Sequence, residues 1–329
     1  MHYPKISIVT PSFNQAQYLE ETILSVINQN YPNLEYIIID GGSTDNSVEI
    51  IKKYEKHLAY WVSEPDNGHG DALNKGFSKA TGEIMAWLNS DDKYLPWTLY
   101  TVNEIFSKHE AVNWLTGIQG RFNKKGVITH TGMVKKNVYD YILKDYKWIQ
   151  QESTFWRRSL WEKAGAKINN SYKLMVDGEL WSRFFLLDEL WHLDAVIGGY
   201  RVHDTNRASK FYDEVIMEMN LICESLLQNL SDNQRNNYNK ILEKEKKINK
   251  IIRPSSFERM KIYKILPCFL YGRIINKIII RKKDFVNTQI NELSFLKYKT
   301  IECVDGEWSL GICKQNLSLL QQYNLLRFF

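Results

Sequence analysis

The stretch EYIIIDGGSTDNSVEIIKKYEKH, residues 35–57, joins a short apolar run to a mixed polar and apolar run. EYIIID is nearly all apolar, as expected of a strand that is buried on both faces of a parallel sheet. GGSTDNS has the composition of a turn and contains good N-cap residues, with Asp45 favoured as the cap of the run that follows. The stretch therefore predicts a strand–turn–helix unit of an α/β protein.

The same alternation continues on both sides of this unit. The further runs are KISIVT (5–10), YLEETILSVINQ (18–29), AYWVS (59–63), GDALNKGFSKAT (70–81) and EIMAWLN (83–89). Strands and helices at this spacing predict a doubly wound, mostly parallel sheet with helices on both faces. Ligands bind at the carboxyl ends of the strands of such sheets. Asp40 and Asp91 both follow a predicted strand, so we expect the binding crevice there.

Length and composition indicate a globular protein of more than one part. The chain is 44% hydrophobic and 13% aromatic, which suits a well-packed globular protein. Its 329 residues are more than one core usually serves, which predicts a main domain with an appendage. The four cysteines show no spacing typical of zinc sites, which favours a reducing compartment. No leader pattern precedes the first predicted strand, and Arg273 and Lys277 interrupt the longest apolar stretch, so we expect a cytoplasmic protein.

The chain divides by composition near residue 210. We predict a main domain over 1–210, with a nucleotide-binding half at 1–108 and an acceptor-side half at 109–210. Residues 211–329 are richer in Asn and Lys, and we predict that they form a mainly helical C-terminal region.

The net charge of +5 is concentrated in one segment. Residues 259–283 carry eight Lys or Arg and no acid, so the rest of the chain sums to −3. Such a segment suits either a helix on an anionic membrane surface or the solvated face of a helical bundle, and both alternatives stay open. A nucleic acid partner is not expected, because no other part of the chain carries a basic pattern.

The known phosphate-binding loops are missing. The turn after the first strand is PSFNQ, which is not the GxGxxG of dinucleotide-binding proteins, and the chain has no GxxxxGK[ST]. The glycines of DGGSTDNS follow the second strand and come without a phosphate-binding lysine. These observations argue against a nicotinamide- or flavin-dependent enzyme and against a P-loop NTPase.

Several blocks in order resemble the family-2 inverting glycosyltransferases with the GT-A fold. The blocks are SIVTPSFNQAQYLEETILSVINQNYPNLEYIIIDGGSTDNS, SEPDNGHGDALNKGFSKATGEIMAWLNSDD, QESTFWRRSLWEKAG, MVDGELWSRF and GGYRVHDTNRAS, which together cover roughly residues 4–210. The resemblance implies transfer of a sugar from a nucleotide diphosphate donor, UDP-linked, to a glycan or lipid-linked glycan. It also implies a setting in bacterial surface polysaccharide assembly, with 259–283 as a peripheral membrane contact.

Donor-site candidates come from the first two blocks and, for Arg201 and Arg207, from the last block. The resemblance implies that Asp40 accepts hydrogen bonds from the nucleobase, and the alternative is that it only caps its turn. Thr10, Pro11 and Phe13 would wall the base from the other side. Further candidates are Asp66, Asn67, Asp71, Asn74, Asn89 and Ser90 for the donor in general, and Lys75, Arg201 and Arg207 for its phosphates.

The stretch LNSDD, residues 88–92, resembles the DxD metal motif, with Asn89 in place of the first aspartate. Adjacent carboxylates repel, and Mg²⁺ or Mn²⁺ bridging them to a diphosphate would resolve the repulsion. Asp91 is the first candidate ligand, and Asp92 is a second ligand or an anchor behind it. His203 matches a family histidine near the metal. The alternative is a solvated acid pair before a helix.

The block DGELWSRF contains the candidate catalytic base. Inverting transfer is a direct displacement that needs a base to take the proton of the acceptor hydroxyl. Asp177 and Glu179 are two residues apart, so on a helix only one of them can face the cleft. Family position favours Asp177, with Glu179 as the fallback. Trp156 could stack on an acceptor sugar or pack in the core.

Two other functions are compatible with parts of this pattern. A sugar nucleotidyltransferase would need a Gly-rich N-terminal loop, and TPSFNQ is not one. A non-catalytic nucleotide-sugar-binding module would keep donor binding in Asp177→Asn and would show no turnover in the wild type.

Overall fold

The computed structural model describes residues 2–132, 135–144, 148–252 and 297–314. The predicted basic segment 259–283 lies outside the described residues. Within them, the helices are α1 (Ala16–Ile27), α2 (Ser47–Tyr54), α3 (His69–Lys79), α4 (Thr98–Lys108), α5 (Val138–Ile142), α6 (Arg158–Lys163), α7 (Val176–Leu187), α8 (Arg207–Lys210), α9 (Tyr212–Gln228) and α10 (Asp232–Ile252), with short 3-10 helices at Glu55–His57 and Gln151–Ser153.

The described strands form a single sheet. They are β1 (Ile6–Ser12), β2 (Leu34–Asp40), β3 (Tyr60–Ser63), β4 (Ile84–Trp87), β5 (Lys93–Tyr94), β6 (Trp114–Phe122), β7 (Ile128–Gly132), β8 (Thr154–Arg157), β9 (Trp191–Arg201), β10 (Lys297–Val304) and β11 (Glu307–Lys314). Their order is β11-β10-β9-β6-β8-β4-β1-β2-β3, with β5 on β9 and β7 on β6.

The first four strands are parallel, as predicted. β1 pairs with β2 and β4, and β2 pairs with β3. β8 runs antiparallel between β4 and β6, whereas β6, β9 and β10 are parallel to one another. The prediction of a mostly parallel, doubly wound sheet is confirmed, and it brings the turns after β1, β2 and β4 to one edge.

Close packing of α3 on the sheet depends on a glycine. β1 is buried along its whole length and β2 over its last five residues. A Cβ on Gly76 of α3 would overlap Val9 Cγ1 and would lie 3.3 Å from Ile39 Cγ1. The helix can therefore approach β1 and β2 only because residue 76 has no side chain.

An aromatic cluster fills the core behind β4, β6 and β8. Trp87, Trp114, Trp156 and Trp181 are fully buried, and the rings of Trp87 and Trp181 stack with centroids 5.6 Å apart. Trp156 contacts both of these rings edge-on at 5.6 and 5.7 Å. Trp156 therefore packs in the core. The alternative prediction, that its ring stacks on an acceptor sugar, is wrong. Burial on both sides leaves no face of its ring for a sugar.

The C-terminal part differs from the predicted arrangement. The chain divides into two compact units. Because α9 packs against α5 and α7, the first unit extends to Gln228 rather than ending at residue 210. That unit also takes in Tyr298–Ile312, because β10 pairs with β9. A region predicted as mainly helical thus also supplies two strands to the main sheet.

The second unit is described by itself. It comprises Asn229–Lys297 and Cys313–Phe329, and α10 is its described helix. No helix in the part of the chain that the structure describes is long and apolar enough to cross a bilayer.

Candidate functional site

A cleft of about 520 Å³ opens at the carboxyl ends of β1, β2 and β4. A cavity of this size suits a small-molecule ligand. Its walls come from the turns after these strands, from the start of α3, from the loop before α7 and from the start of α8. The lining side chains that bear on function are Phe13, Asp66, Asn89, Asp91, Lys173 and Arg207.

Asp91 lines the cleft, and His203 lies directly behind it. Asp91 Oδ2 lies 2.9 Å from His203 Nε2, and the imidazole Nδ1 lies 2.7 Å from Thr205 Oγ1. His203 is buried, and the Asn206 side chain also reaches its Nε2 at 3.0 Å. A carboxylate oxygen and a ring nitrogen therefore converge at one point beside the cleft.

This pair is chemically suited to a divalent cation that a diphosphate shares. Among the described residues, no group of three or more His, Cys, Asp or Glu side chains could hold a metal ion by itself. Mg²⁺, however, is usually bound through one or two carboxylates with phosphate oxygens and water completing the shell. Asp91 with His203 fits that requirement.

Asp92 points away from the cleft. It is fully buried and accepts from the backbone N–H of Arg201 at 2.8 Å, from Gln151 Nε2 at 3.2 Å and from Asn89 Nδ2 at 3.3 Å. Burial raises the pKa of Asp92 well above its usual range, and the nearby Asp91 adds to this effect. Of the two predicted roles, the structure therefore places it as the anchor, not as a second ligand.

Asn89 and Ser90 lie in the cleft wall, and His69 joins them there. The Asn89 Oδ1 lies 3.1 Å from His69 Nε2, and burial lowers the pKa of this histidine. His69 was not a sequence candidate, although it lies inside the block SEPDNGHGDALNKG. The Ser90 carbonyl accepts from Thr22 Oγ1 at 2.9 Å, which fixes the turn from below.

Asp66 is a second carboxylate that lines the cleft. The N–H of Gly68 donates to its Oδ1 at 2.8 Å, and a Cβ on Gly41 would lie only 2.7 Å from its Oδ2. The carboxylate of Asp66 therefore occupies the space that a side chain at position 41 would take. Pro11 and Phe13 also line the cleft, and Phe13 is 58% exposed.

Asp40 and Thr10 lie beneath the cleft and do not line it. Asp40 is fully buried and accepts from Ser43 N, Ser43 Oγ and Ser63 Oγ at 2.8, 2.6 and 2.7 Å. Thr10 Oγ1 pairs with Tyr36 OH at 3.1 Å. The geometry corrects the prediction that Asp40 recognises a base, since its oxygens already accept hydrogen bonds from the turn and from β3.

Two of the three predicted phosphate-binding cations, Arg201 and Lys75, do not line the cleft. Arg201 is fully buried, and it donates to the Asp91 carbonyl at 2.7 Å and to Glu21 Oε2 at 2.6 Å. Lys75 pairs with Glu64 at 2.9 Å outside the cleft lining. Arg201 therefore supports the backbone of Asp91, and the prediction that these two cations contact phosphate is corrected.

Two other cations do line the cleft. Arg207 begins α8, and Lys173 lies in the loop before α7. Lys173 was missed by sequence reasoning, since that loop resembles no phosphate-binding pattern. Asn74, predicted to bind the donor, instead holds the same loop further upstream, with Ile168 N donating to its Oδ1 at 2.8 Å and its Nδ2 donating to Ile168 O at 2.9 Å.

Asp177 is the second residue of α7. Burial raises its pKa to about 6, and the N–H of Gly178 donates to its Oδ1 at 2.8 Å. Glu179 forms a close ion pair with Arg183 at 2.8 Å, which argues against its fallback role as the base. Asp177 itself does not line the cleft, but Lys173 and Leu174, just before it in the chain, do.

Glu152 is a buried carboxyl group that sequence reasoning missed. It lies in the 3-10 helix Gln151–Ser153, directly before β8. Burial raises its pKa to about 8, and the charges of Asp177 and Asp91 add to the effect. An acid immediately before a buried strand, in QESTFW, is the signal that could have found it.

Comparison with known proteins identifies the family. The profile of the family described as "Glycosyl transferase family 2" matches residues 7–189, which is more than half of the chain. The chain belongs to glycosyl transferase family 2. An uncharacterized glycosyltransferase of Haemophilus influenzae is 25% identical over 334 residues, covering 97% of this chain and 96% of the relative.

Other curated family 2 relatives match only in part. The putative teichuronic acid biosynthesis glycosyltransferase TuaG of Bacillus subtilis is 41% identical over 96 residues, which is 28% of this chain and 37% of TuaG. The matches to this and to other such relatives, among them one from Nostoc sp., span about a third of the relatives' own length. These relatives support a transferase enzyme.

Solved structures show the same fold. The crystal structure of S. aureus TarS 1–349 in complex with UDP-GlcNAc matches with a TM-score of 0.54 and 19% identity, over 95% of this chain and 97% of that chain. The complex with UDP matches with a TM-score of 0.57 and 17% identity. This likeness and the family match establish a GT-A fold.

Proposed function

We propose that the protein is a metal-dependent, inverting glycosyltransferase that moves a sugar from a UDP-linked donor to a hydroxyl of a glycan or lipid-linked glycan. The observation that carries the proposal is the pair of Asp91 Oδ2 and His203 Nε2, 2.9 Å apart. Asp91 lines a cleft that two cations and an exposed aromatic ring also line. TarS, which has the same fold, is known in complex with UDP-GlcNAc.

The nucleoside end of the donor lies between Phe13 and Asp66. Phe13 offers an exposed ring face for stacking, and Asp66 offers a carboxylate oxygen to an N–H group of the base. Uracil carries one such N–H group. The diphosphate then lies toward Lys173 and Arg207, whose positive charges favour the leaving nucleotide.

Mg²⁺ or Mn²⁺ would be held by Asp91 and His203. When bound, the ion supplies positive charge to the diphosphate as it leaves. Asp92 and Arg201 hold the turn that carries Asp91, through the contacts of Asp92 with Arg201 N and of Arg201 Nε with the Asp91 carbonyl. The rigidity of Asp91 thus comes from two neighbours that do not line the cleft.

Asp177 takes the proton of the acceptor hydroxyl. A pKa of about 6 leaves the carboxylate ionised at neutral pH, and it is a stronger base than an ordinary aspartate. The sugar is displaced in one step, because no nucleophile of the protein is needed. Asp177→Asn would retain donor binding and lose turnover.

The biological setting follows the relatives. TuaG is described as a teichuronic acid biosynthesis enzyme, and we propose a related role in surface polysaccharide assembly at the cytoplasmic face of the membrane. Residues 259–283 are the proposed membrane contact.

The test is donor binding and hydrolysis. The protein is incubated with a panel of nucleotide sugars, with the corresponding nucleoside diphosphates, and with nucleoside triphosphates plus sugar phosphates, each in Mn²⁺, Mg²⁺ or EDTA. Thermal shift and the release of nucleotide or pyrophosphate are followed. Metal-dependent stabilisation by UDP with slow hydrolysis of one UDP-sugar is expected. Binding without turnover in every case would support a binding module, and release of pyrophosphate from a nucleoside triphosphate with a sugar phosphate would support a nucleotidyltransferase.

A further inference from the structure

A carboxylate from α9 holds the loop that precedes Asp177. The backbone N–H groups of Lys173, Leu174 and Met175 all donate to the side chain of Glu218. Lys173 N lies 2.8 Å from Oε1, and the N atoms of Leu174 and Met175 lie 2.9 and 2.8 Å from Oε2. Hydrogen bonds to a carboxylate are roughly twice as strong as neutral ones, so three of them hold this loop firmly.

Glu218 accepts from the backbone directly before α7 although it lies in a distant part of the chain. Of the three N–H groups, that of Met175 belongs to the helix N-terminus, where the N–H groups have no partner within the helix and negative charge is favourable. Met175, the N-cap residue of α7, makes no side-chain capping bond of its own. Glu218 follows it by 43 residues, in a region that the sequence assigned to a separate C-terminal part.

The same three bonds fix two functional elements. Lys173 and Leu174 line the cleft, and Asp177 lies in the first turn of α7, the helix into which their loop leads. α9 also packs against α7, where a Cβ on Gly178 would lie 3.3 Å from Met219 Sδ. A shift of Glu218 would therefore move the cleft wall and the candidate base together.

We propose that Glu218 is a positioning residue for glycosyl transfer: it sets the place of Lys173, Leu174 and the Asp177 carboxylate relative to the bound donor. This inference rests on the proposed function. A misplacement of about 1 Å caused far from the chemistry can lower a rate by about 100-fold, because the reacting groups lose their alignment.

Charge gives Glu218 a second, measurable effect. Among the residues that the structure describes, the titratable groups that interact electrostatically with Asp177 are Glu218 on α9, Glu152 before β8 and Tyr141 on α5. Burial is the main cause of the raised pKa of Asp177, and the negative charge of Glu218 adds to it. Removing that charge lowers the pKa of Asp177, so the acid limb of the activity profile moves to lower pH.

The experiment compares three variants of the full chain. Glu218→Gln removes the charge, Glu218→Asp keeps it with a shorter reach, and Glu214→Gln makes the same charge change at an exposed position of α9. UDP release from the UDP-sugar that the wild type hydrolyses is measured against pH, and UDP binding is measured by calorimetry. Titration of the Asp177 carboxyl carbon by NMR, assigned with Asp177→Asn, is followed in parallel.

We expect Glu218→Gln to lower kcat by roughly 10- to 100-fold with a smaller change in KM, and to move the acid limb downward. Glu218→Asp should lose rate but keep the acid limb, and Glu214→Gln should behave as the wild type. A lower Tm in Glu218→Gln with the kcat and acid limb of Glu214→Gln would overturn the proposal. If Glu218→Gln does not fold, a wild-type kcat in Glu218→Asp overturns it.

Failure of the proposed function is a separate outcome. A wild type that binds UDP but releases it from no donor contradicts glycosyl transfer. The NMR titration needs no turnover, so it still decides whether Glu218 acts on Asp177. An unchanged Asp177 titration in Glu218→Gln counts against the positioning role.

Discussion

The two walls of the cleft, one at the ends of the strands and one in the loop before α7, are built in different ways. At the strand ends, β1, β2 and β4 run parallel, and the turn after each strand reaches the cleft within a few residues. At the other wall, the loop before α7 is held by Asn74 from 94 residues upstream and by Glu218 from 43 residues downstream. Local pattern thus builds one wall, and long-range contacts build the other.

The first prediction concerns the two carboxylates of α7, Asp177 and Glu179. Asp177→Asn should lower kcat by about 10²- to 10⁴-fold, because a general base of this kind contributes that much. UDP affinity, measured by calorimetry, should stay at the wild-type value. Glu179→Gln is the matched control, since it changes a carboxylate on the same helix that is paired with Arg183. A larger kcat loss in the control than in Asp177→Asn would contradict the assignment.

The second prediction concerns Trp156 in the core. Trp156→Ala should lower the free energy of unfolding by about 3–5 kcal/mol, since it removes a large buried side chain. Urea unfolding measures the loss, and Trp156→Phe should lose less because it keeps a ring. UDP affinity of the folded protein should not change. A variant with wild-type stability but impaired transfer would restore the acceptor-stacking role.

The third prediction is a pH dependence of stability caused by Glu152. Its pKa is about 8 in the folded protein and near 4.5 in an unfolded chain. Between these values the folded state binds a proton that the unfolded state has lost, so stability falls as pH rises. Glu152→Gln lacks this titration, and its Tm should exceed that of the wild type increasingly from pH 5 to above pH 8. A Tm difference that is independent of pH would count against the raised pKa.

The smallest predicted effect lies at the wall formed by the strand ends. Gly41→Ala places a methyl group where the Asp66 carboxylate now lies, so the carboxylate must move. Loss of one good hydrogen bond to a charged group should weaken UDP binding by roughly tenfold, with little change in Tm. Asp40→Asn, which alters the turn behind the cleft, should instead lower Tm. The reverse pattern would return base recognition to Asp40.

The sequence predicts the fold and the edge at which the cleft lies, because strand and helix periodicities are local. It does not predict which of two nearby carboxylates faces the cleft. Where a chain leaves a strand, the alternation of side chains no longer applies, and so Asp91 turns inward to the cleft while Asp92 turns to Arg201. The same holds for Asp66, which lines the cleft, and Asp40, which is buried against the turn after β2 and against β3.

Long-range contacts account for the other differences. Trp156 lies in β8, which is buried over its first three residues, so no alternation reveals whether its ring packs or binds. Lys173 reaches the cleft because Glu218 and Asn74 fix its loop, and neither partner is near it in the sequence. The strands β10 and β11 join the sheet across a gap of almost one hundred residues after β9.

We propose that Asp91, and not Asp92, makes donor binding depend on a divalent cation. The decisive measurement is calorimetric titration of UDP, with and without Mn²⁺, into the wild type, Asp91→Asn and Asp92→Asn. We expect Asp91→Asn to abolish the Mn²⁺-dependent part of UDP binding at unchanged Tm, and Asp92→Asn to retain it and to change Tm. Retention of Mn²⁺-dependent binding in Asp91→Asn would contradict the assignment of Asp91 as the metal ligand.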